Sequence, residues 1–303
     1  MTRITFSLNP TGLALTLASG LLVAGCAELP AAPKPAETGT VAAPPPAISP
    51  VTPATQSKDL PDGRKLVSFE GVSFEYDPKL FGDAKGQFVS ATPLQSADEK
   101  PDGVLPRHRL FTFGATAKGE DATSPYLIPH ISVYPIEEFK KVYALSPEMV
   151  KGFTEDMAAI SAIGNGSGAI GLEKELPYGL FIDAHQSFRA HATRVAFKSG
   201  KGFGFLTQYD IEPTLVNNEN LVYVLQGVTA DGKYYVLAEF HVASPLAAPR
   251  PGESHDGYSI TNEKGYAAYV AKTAKKLEAS PARDFTPNLE KLDELFKSIT
   301  VAN

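Results

Sequence analysis

Apolar and polar positions change period several times along the chain, and each change marks an element. In "KLVSFEGVSFEYDPKLFG", residues 65–82, two short aromatic and β-branched runs are interrupted at Glu70-Gly71 and followed by Asp77-Pro78. Alternation on both sides of a turn pair predicts a β-hairpin, and proline after aspartate predicts a short helical turn behind it. Further strands are predicted over residues 87–91, 108–113 and 130–134. At Ser146-Pro147 the period becomes helical: a capping serine with proline at the first position precedes Met149, Phe153, Met157, Ile160 and Ile163. That spacing is the buried stripe of a helix ending near Gly164.

The clearest pattern lies between residues 184 and 242. Four strand-like runs, "AHQSFRAHATRVAFKSG", "KGFGFLTQYDI", "NLVYVLQGVT" and "KYYVLAEFHV", are separated by Ser199-Gly200, Asn217-Asn218 and Asp231-Gly232. Asp-Gly between apolar runs is a strong hairpin signal because both positions tolerate positive φ, so a four-stranded antiparallel meander is predicted. In the first run the apolar parity changes between Ala192 and Val195, which a β-bulge would explain. Two amphipathic helices close the chain. One spans residues 262–278 with Tyr266, Tyr269, Val270 and Leu277 inward; the other spans 288–299 with Leu289, Leu292, Phe296 and Ile299 inward. Central strands with helices segregated around them predict an α+β fold, an antiparallel sheet sandwiched by helices.

The first 63 residues look different. Arg3 is followed by the apolar span "LALTLASGLLVA", about 12 residues, too short to cross a bilayer and shaped like the core of a secretory signal peptide. The chain's one cysteine, Cys26, comes directly after it. Nine prolines then fall between residues 27 and 63 among alanine and threonine, a composition that buries too little apolar surface to fold. The expected organisation is a signal peptide at 1–25, a cysteine and proline-rich linker at 26–63, and one globular domain at 64–303.

"LVAGC", residues 22–26, resembles the lipobox of bacterial lipoproteins. The resemblance implies diacylglyceryl attachment at the Cys26 thiol, cleavage before it, and a membrane anchor in the cell envelope. With Ala27 in place of the aspartate that retains many lipoproteins in the inner membrane, it favours the periplasmic face of the outer membrane in a Gram-negative cell. Farther on, "GVSFEYDPKLF" and "LDELFKSITV" resemble the two edges of the PsbP-like fold, a family that includes an extrinsic photosystem II subunit and bacterial envelope lipoproteins. This implies an antiparallel sheet between helices across the globular domain, and no activity.

Charge and composition narrow the chemistry. The 303-residue chain is 43% hydrophobic and carries a formal charge of -6, without the lysine and arginine excess that nucleic acid requires. Its six histidines include no pair at the H-E-x-x-H spacing of a zinc enzyme. On an ideal strand His185, Arg189 and His191 would share one side, with His241 on another strand of the meander; such a patch could hold a small anion or metal. "GNGSGAIG", residues 164–171, follows a helix and lacks the lysine of a phosphate loop, so it reads as a helix C-cap and a mobile loop. No G-x-S-x-G elbow occurs, and the run Glu253, Ser254, His255 and Asp256 reads as a solvated loop. Absence of tryptophan argues against a carbohydrate platform.

The sequence therefore leads to a non-enzymatic, lipid-anchored envelope protein whose domain binds a protein partner or a small ligand in an accessory or scaffold role. The alternative is a periplasmic enzyme or a metal- or anion-binding protein using the histidine-containing strands. No cofactor is implied.

Overall fold

A computed structural model describes residues 54–114, 129–171, 175–251, 255, 257–259 and 265–302. Cys26, the signal segment and the linker as far as residue 53 lie outside the described residues, as do most of the positions from Glu253 to Asp256.

The first hairpin forms where alternation predicts it. Strands β2 (Lys65–Phe69) and β3 (Val72–Tyr76) pair antiparallel, and the two-residue turn between them puts both Glu70 (φ 48) and Gly71 (φ 78) in the left-handed region. This is the turn whose twist matches that of paired strands. Val67, Phe69, Val72, Phe74 and Tyr76 are buried, one face of the pair. A strand that the pattern does not reveal, β1 (Gln56–Asp59), pairs with β2 from within the stretch read as linker. All four of its side chains are exposed, so it carries no apolar signal; backbone hydrogen bonds alone recruit it. Just before it, the Thr55 hydroxyl donates to Gly86 O (3.0 Å) and accepts from Gly86 N (2.8 Å). Helix α1 (Pro78–Phe81) follows the hairpin, capped by the Asp77 side chain.

The meander is part of a larger sheet. Strands β4 (Ala84–Val89), β5 (His108–Phe113), β6 (His130–Pro135), β8 (Ala190–Phe197), β9 (Gly200–Thr207), β11 (Val222–Thr229) and β12 (Tyr234–His241) form one sheet in the order β4-β5-β6-β12-β11-β9-β8. Every neighbouring pair in it is antiparallel. At the centre, β11 and β12 are buried on both faces, which is why "VYVL" and "YYVLAEF" read as nearly continuous apolar runs.

Alternate residues of these strands feed two separate cores. Tyr223, Leu225, Val236 and Phe240 join Phe74, Phe111 and Phe113, with helices α4 (Tyr266–Ala279) and α5 (Leu289–Lys297) closing that side beside the small sheet β1-β2-β3-β13, where β13 is Thr300–Val301. On the other face Val224, Tyr235, Leu237, Phe203 and Phe205 pack against helices α2 (Ile136–Val142) and α3 (Pro147–Gly164). The architecture is α+β, with helical layers on both faces of an antiparallel sheet. Ser146 and Asn288 cap α3 and α5 through hydrogen bonds to Met149 N (3.4 Å) and Glu290 N (2.8 Å). The brief helix α2 follows β6 without a loop and had no separate signal in the pattern.

Two details of the edge strand β8 bear on function. Its register to β9 shifts between Ala190 and Thr193, and His191 sits in that irregularity at φ 50. The bulge thus falls where the apolar parity changes. The glycine-rich segment after α3 is held down rather than loose: Arg194 of β8 donates from Nε to Ile163 O (2.9 Å) and from Nη2 to Gly168 O (2.7 Å). A guanidinium on the carbonyls that a helix end leaves open satisfies them and complements the helix dipole.

Candidate functional site

The first run of the meander does not continue as one strand. Residues His185–Gln186 form a short strand β7 that pairs with β10 (Tyr209–Asp210), a two-stranded ribbon outside the main sheet, before the chain enters β8 at Ala190. Buried polar groups explain the departure. Gln208, fully buried, donates from Nε2 to the Asp210 carboxylate (3.0 and 2.9 Å) and Leu215 O (3.0 Å), and its Oε1 accepts from Asn217 N (3.0 Å) and Nδ2 (3.3 Å). Asn217 in turn caps Glu219 N and Asn220 N, both at 3.0 Å. A satisfied network of this kind fixes the loop after β10 and the ribbon with it. Gln186 adds a backbone-like clasp, accepting from Leu176 N (3.1 Å) and donating to Leu176 O (3.0 Å).

Helix α4 lies over this ribbon and is fastened at both ends. Tyr269 accepts a hydrogen bond from Val216 N (3.2 Å), while near the other end His191 Nε2 lies 2.8 Å from Leu277 O and His191 N donates to the Glu278 carboxylate. On this side the helix presents Ala267, Ala271 and Ala274, whose methyl groups cannot fill the space to the ribbon. The result is a cleft of about 480 Å³. One wall is Tyr266, Val270, the three alanines and Lys275; the other is Glu175, His185, Gln186, Ser187, Phe188 and Arg189. Its size falls in the ordinary range for small-molecule sites, which pair apolar walls with a few placed polar groups.

Those polar groups are held in place. The Ser187 hydroxyl donates to the buried Asp210 carboxylate, and Arg189 Nη1 reaches Gln186 Oε1 (3.4 Å). Burial pushes the Asp210 carboxyl up from its ordinary range, against the hydrogen bonds from Ser187 and Gln208 that favour its ionised form. Arg189 is drawn down by burial, partly offset by Glu175. The hydrogen bond to Asp210 fixes the orientation of the Ser187 hydroxyl at the cleft wall.

Of the four residues that an ideal strand would group, the cleft receives two. His185 and Arg189 line it. His191 is turned away by the bulge and serves as a fastener between β8 and α4, its ring edge-on to Phe285 at 5.1 Å. His241 ends β12 on the far side of the ribbon, lining a different cavity. The grouping fails because the chain leaves strand pairing between Gln186 and Ala190 and then bulges, so period-two spacing does not carry across. Ser187, Asp210 and Lys275 belong to no motif of the sequence, and Tyr266 reads there only as an inward residue of its helix. For Asp210 a signal exists: "TQYD" places polar residues at the end of a strand buried along most of its length.

Among the described residues no set of three His, Cys, Asp or Glu side chains is placed to hold a metal ion, and no helix is long and apolar enough to cross a membrane. No protein-family model matches the chain, and no curated protein or solved structure matches it either.

Proposed function

We propose that this chain is a lipid-anchored protein of the bacterial envelope, with a non-enzymatic PsbP-like α+β domain that binds a small amphipathic acid in the cleft under α4. Cys26 carries the acyl chains, the proline-rich segment spaces the domain from the membrane, and the periplasmic face of the outer membrane is its expected location. The observation that carries the binding role is the cleft's two-sided chemistry: an alanine-lined helix face opposite Arg189, His185 and the Ser187 hydroxyl. An acid group meets Arg189, with Lys275 at the rim; an apolar chain lies along Ala267, Ala271 and Ala274.

Calorimetric titration of the detergent-solubilised full chain with octanoate, against octanol as the uncharged control, tests this reading. Saturable octanoate binding, weakened at least tenfold by Arg189→Ala, is expected; equal binding of the alcohol, or none of the acid, rejects it. Membrane fractionation of Cys26→Ser tests the anchor separately. The variant should leave the membrane fraction, and its retention there would reject acylation at Cys26.

A further inference from the structure

Tyr209 and Asp210 are consecutive on β10, so their side chains leave the ribbon on opposite sides. Asp210 serves the α4 cleft, whereas Tyr209 lines a second cavity, of about 230 Å³, between the ribbon and the ends of β11 and β12. At about 30 Å³ per water, that is the space of roughly eight waters, room for a ligand of about eight non-hydrogen atoms. Ile182, Ala184 and Val222 give it apolar wall, and the rings of Tyr178 and Tyr209 stand 5.4 Å apart at 51°.

The polar groups here differ in sign from those of the cleft. Glu239 is 9% exposed and reaches the cavity from the mostly apolar strand β12. Tyr178 donates to its Oε1 (2.8 Å), and His130, directly opposite on β6, places Nε2 3.5 Å from its Oε2. Glu219 adds a second carboxylate at the exposed rim, and no lysine or arginine lines the space. A carboxylate and two aromatic faces around a small apolar hollow make a receptor for an organic cation: the carboxylate supplies the charge partner, and ring quadrupoles attract the same ligand.

We propose that this cavity is a second binding site, for a small organic ammonium whose charged nitrogen meets Glu239 and whose apolar body lies against Tyr178, Tyr209 and Val222. The inference is independent of what the α4 cleft binds.

Protons compete for the site. Burial raises the Glu239 carboxyl to about 7, with Tyr178 and His241 acting to lower it. The other titratable groups facing it are His130 on β6, Tyr235 on β12 and Tyr209 on β10, with Glu219 at the mouth. The three tyrosines stay neutral, their hydroxyls pushed well above the usual range by burial. An ammonium that needs the ionised carboxylate therefore binds with release of a proton near neutrality.

The test is calorimetric titration of the full chain in detergent with benzylammonium and with benzyl alcohol, its neutral counterpart of equal size. Benzylammonium should bind saturably at pH 8 and at least about thirtyfold more weakly at pH 5.5, the loss of ionised fraction for a carboxyl titrating near 7. Repeating the titration near pH 6.5 in buffers of different ionisation heat should reveal proton release. Glu239→Gln should abolish binding, Ala184→Phe should block it by filling the cavity while the carboxyl remains, and Arg189→Ala should leave it unchanged. A flat titration, equal binding of the alcohol, pH-independent affinity, or loss with Arg189→Ala would each overturn the proposal.

Discussion

His130 and Glu239 are register partners across β6 and β12, with Nε2 and Oε2 3.5 Å apart in the interior of the protein. Behind His130, from the next strand, His108 packs at a tilt against Tyr134 with ring centroids 4.4 Å apart, its Nδ1 bonded to Pro106 O (2.8 Å). These groups set how stability responds to pH.

In the folded chain Glu239 holds its proton up to about pH 7, whereas unfolded it releases it near 4.5. The folded state thus binds the extra proton between those values, and this group's contribution to stability falls as pH rises through the window, by up to about 3 kcal/mol in all. His108 works the other way. Burial lowers it to about 4, so the unfolded chain takes a proton below about 6.5 that the folded chain refuses, and stability is lost as pH falls from there toward 4. Between pH 4.5 and 6.5 the two slopes oppose. Glu239→Gln keeps an acceptor for Tyr178 but cannot ionise. Its melting temperature, relative to the parent, should rise as pH goes from 4.5 to 7 and level off above. A pH-independent difference in thermal scans would contradict the assignment.

Arg194 is expected to matter more than an exposed arginine usually does. Arg194→Ala removes both hydrogen bonds to the α3 terminus and its following loop, at a cost of about 1 kcal/mol after allowance for solvent. Hydrogen exchange should show protection falling at Asn165, Ser167 and Gly168, whose amides bond back to the last turn of α3. Unchanged exchange there would remove Arg194 from that role.

Gly202→Ala should be the most damaging small substitution in the sheet. A Cβ at Gly202 would stand 2.0 Å from Gln226 O, and one at Gly164 would stand 2.9 Å from Gly202 N, because α3 ends directly over this point of β9. Overpacking of this kind costs about 3 kcal/mol. Chemical denaturation should find the loss; a change below 0.5 kcal/mol, ordinary for a surface position, would show that backbone shifts absorb the methyl group.

Much of the fold was legible because burial imposes a period. The 65–76 hairpin, the meander and the helix faces of α3, α4 and α5 are all repeats of apolar spacing, and their turns carry residues suited to positive φ. β1 was invisible for the same reason, since nothing on it is buried. The cleft was only half legible: His185 and Arg189 stood out by type, but their company depends on where the chain quits the sheet. No pattern of spacing encodes that. Alanine is the best helix former, so Ala267, Ala271 and Ala274 carry no signal beyond the helix itself, and their shortness, which opens the cleft, gains meaning only once the ribbon lies opposite. Glu239 leaves one trace in the sequence, a single acid inside "YYVLAEFHV".

The seam between β1 and β2 also has a mechanical meaning. A load drawn through residues before Thr55 meets first the paired bonds of Thr55 to Gly86, then an antiparallel strand with no buried side chain. Antiparallel pairing pulled from one end opens one rung at a time. The four residues Gln56–Asp59 can thus pay out about 13 Å of chain before either core is disturbed. Tension on the chain before Thr55 would be absorbed by this sacrificial strand, leaving the cleft and the cavity in shape.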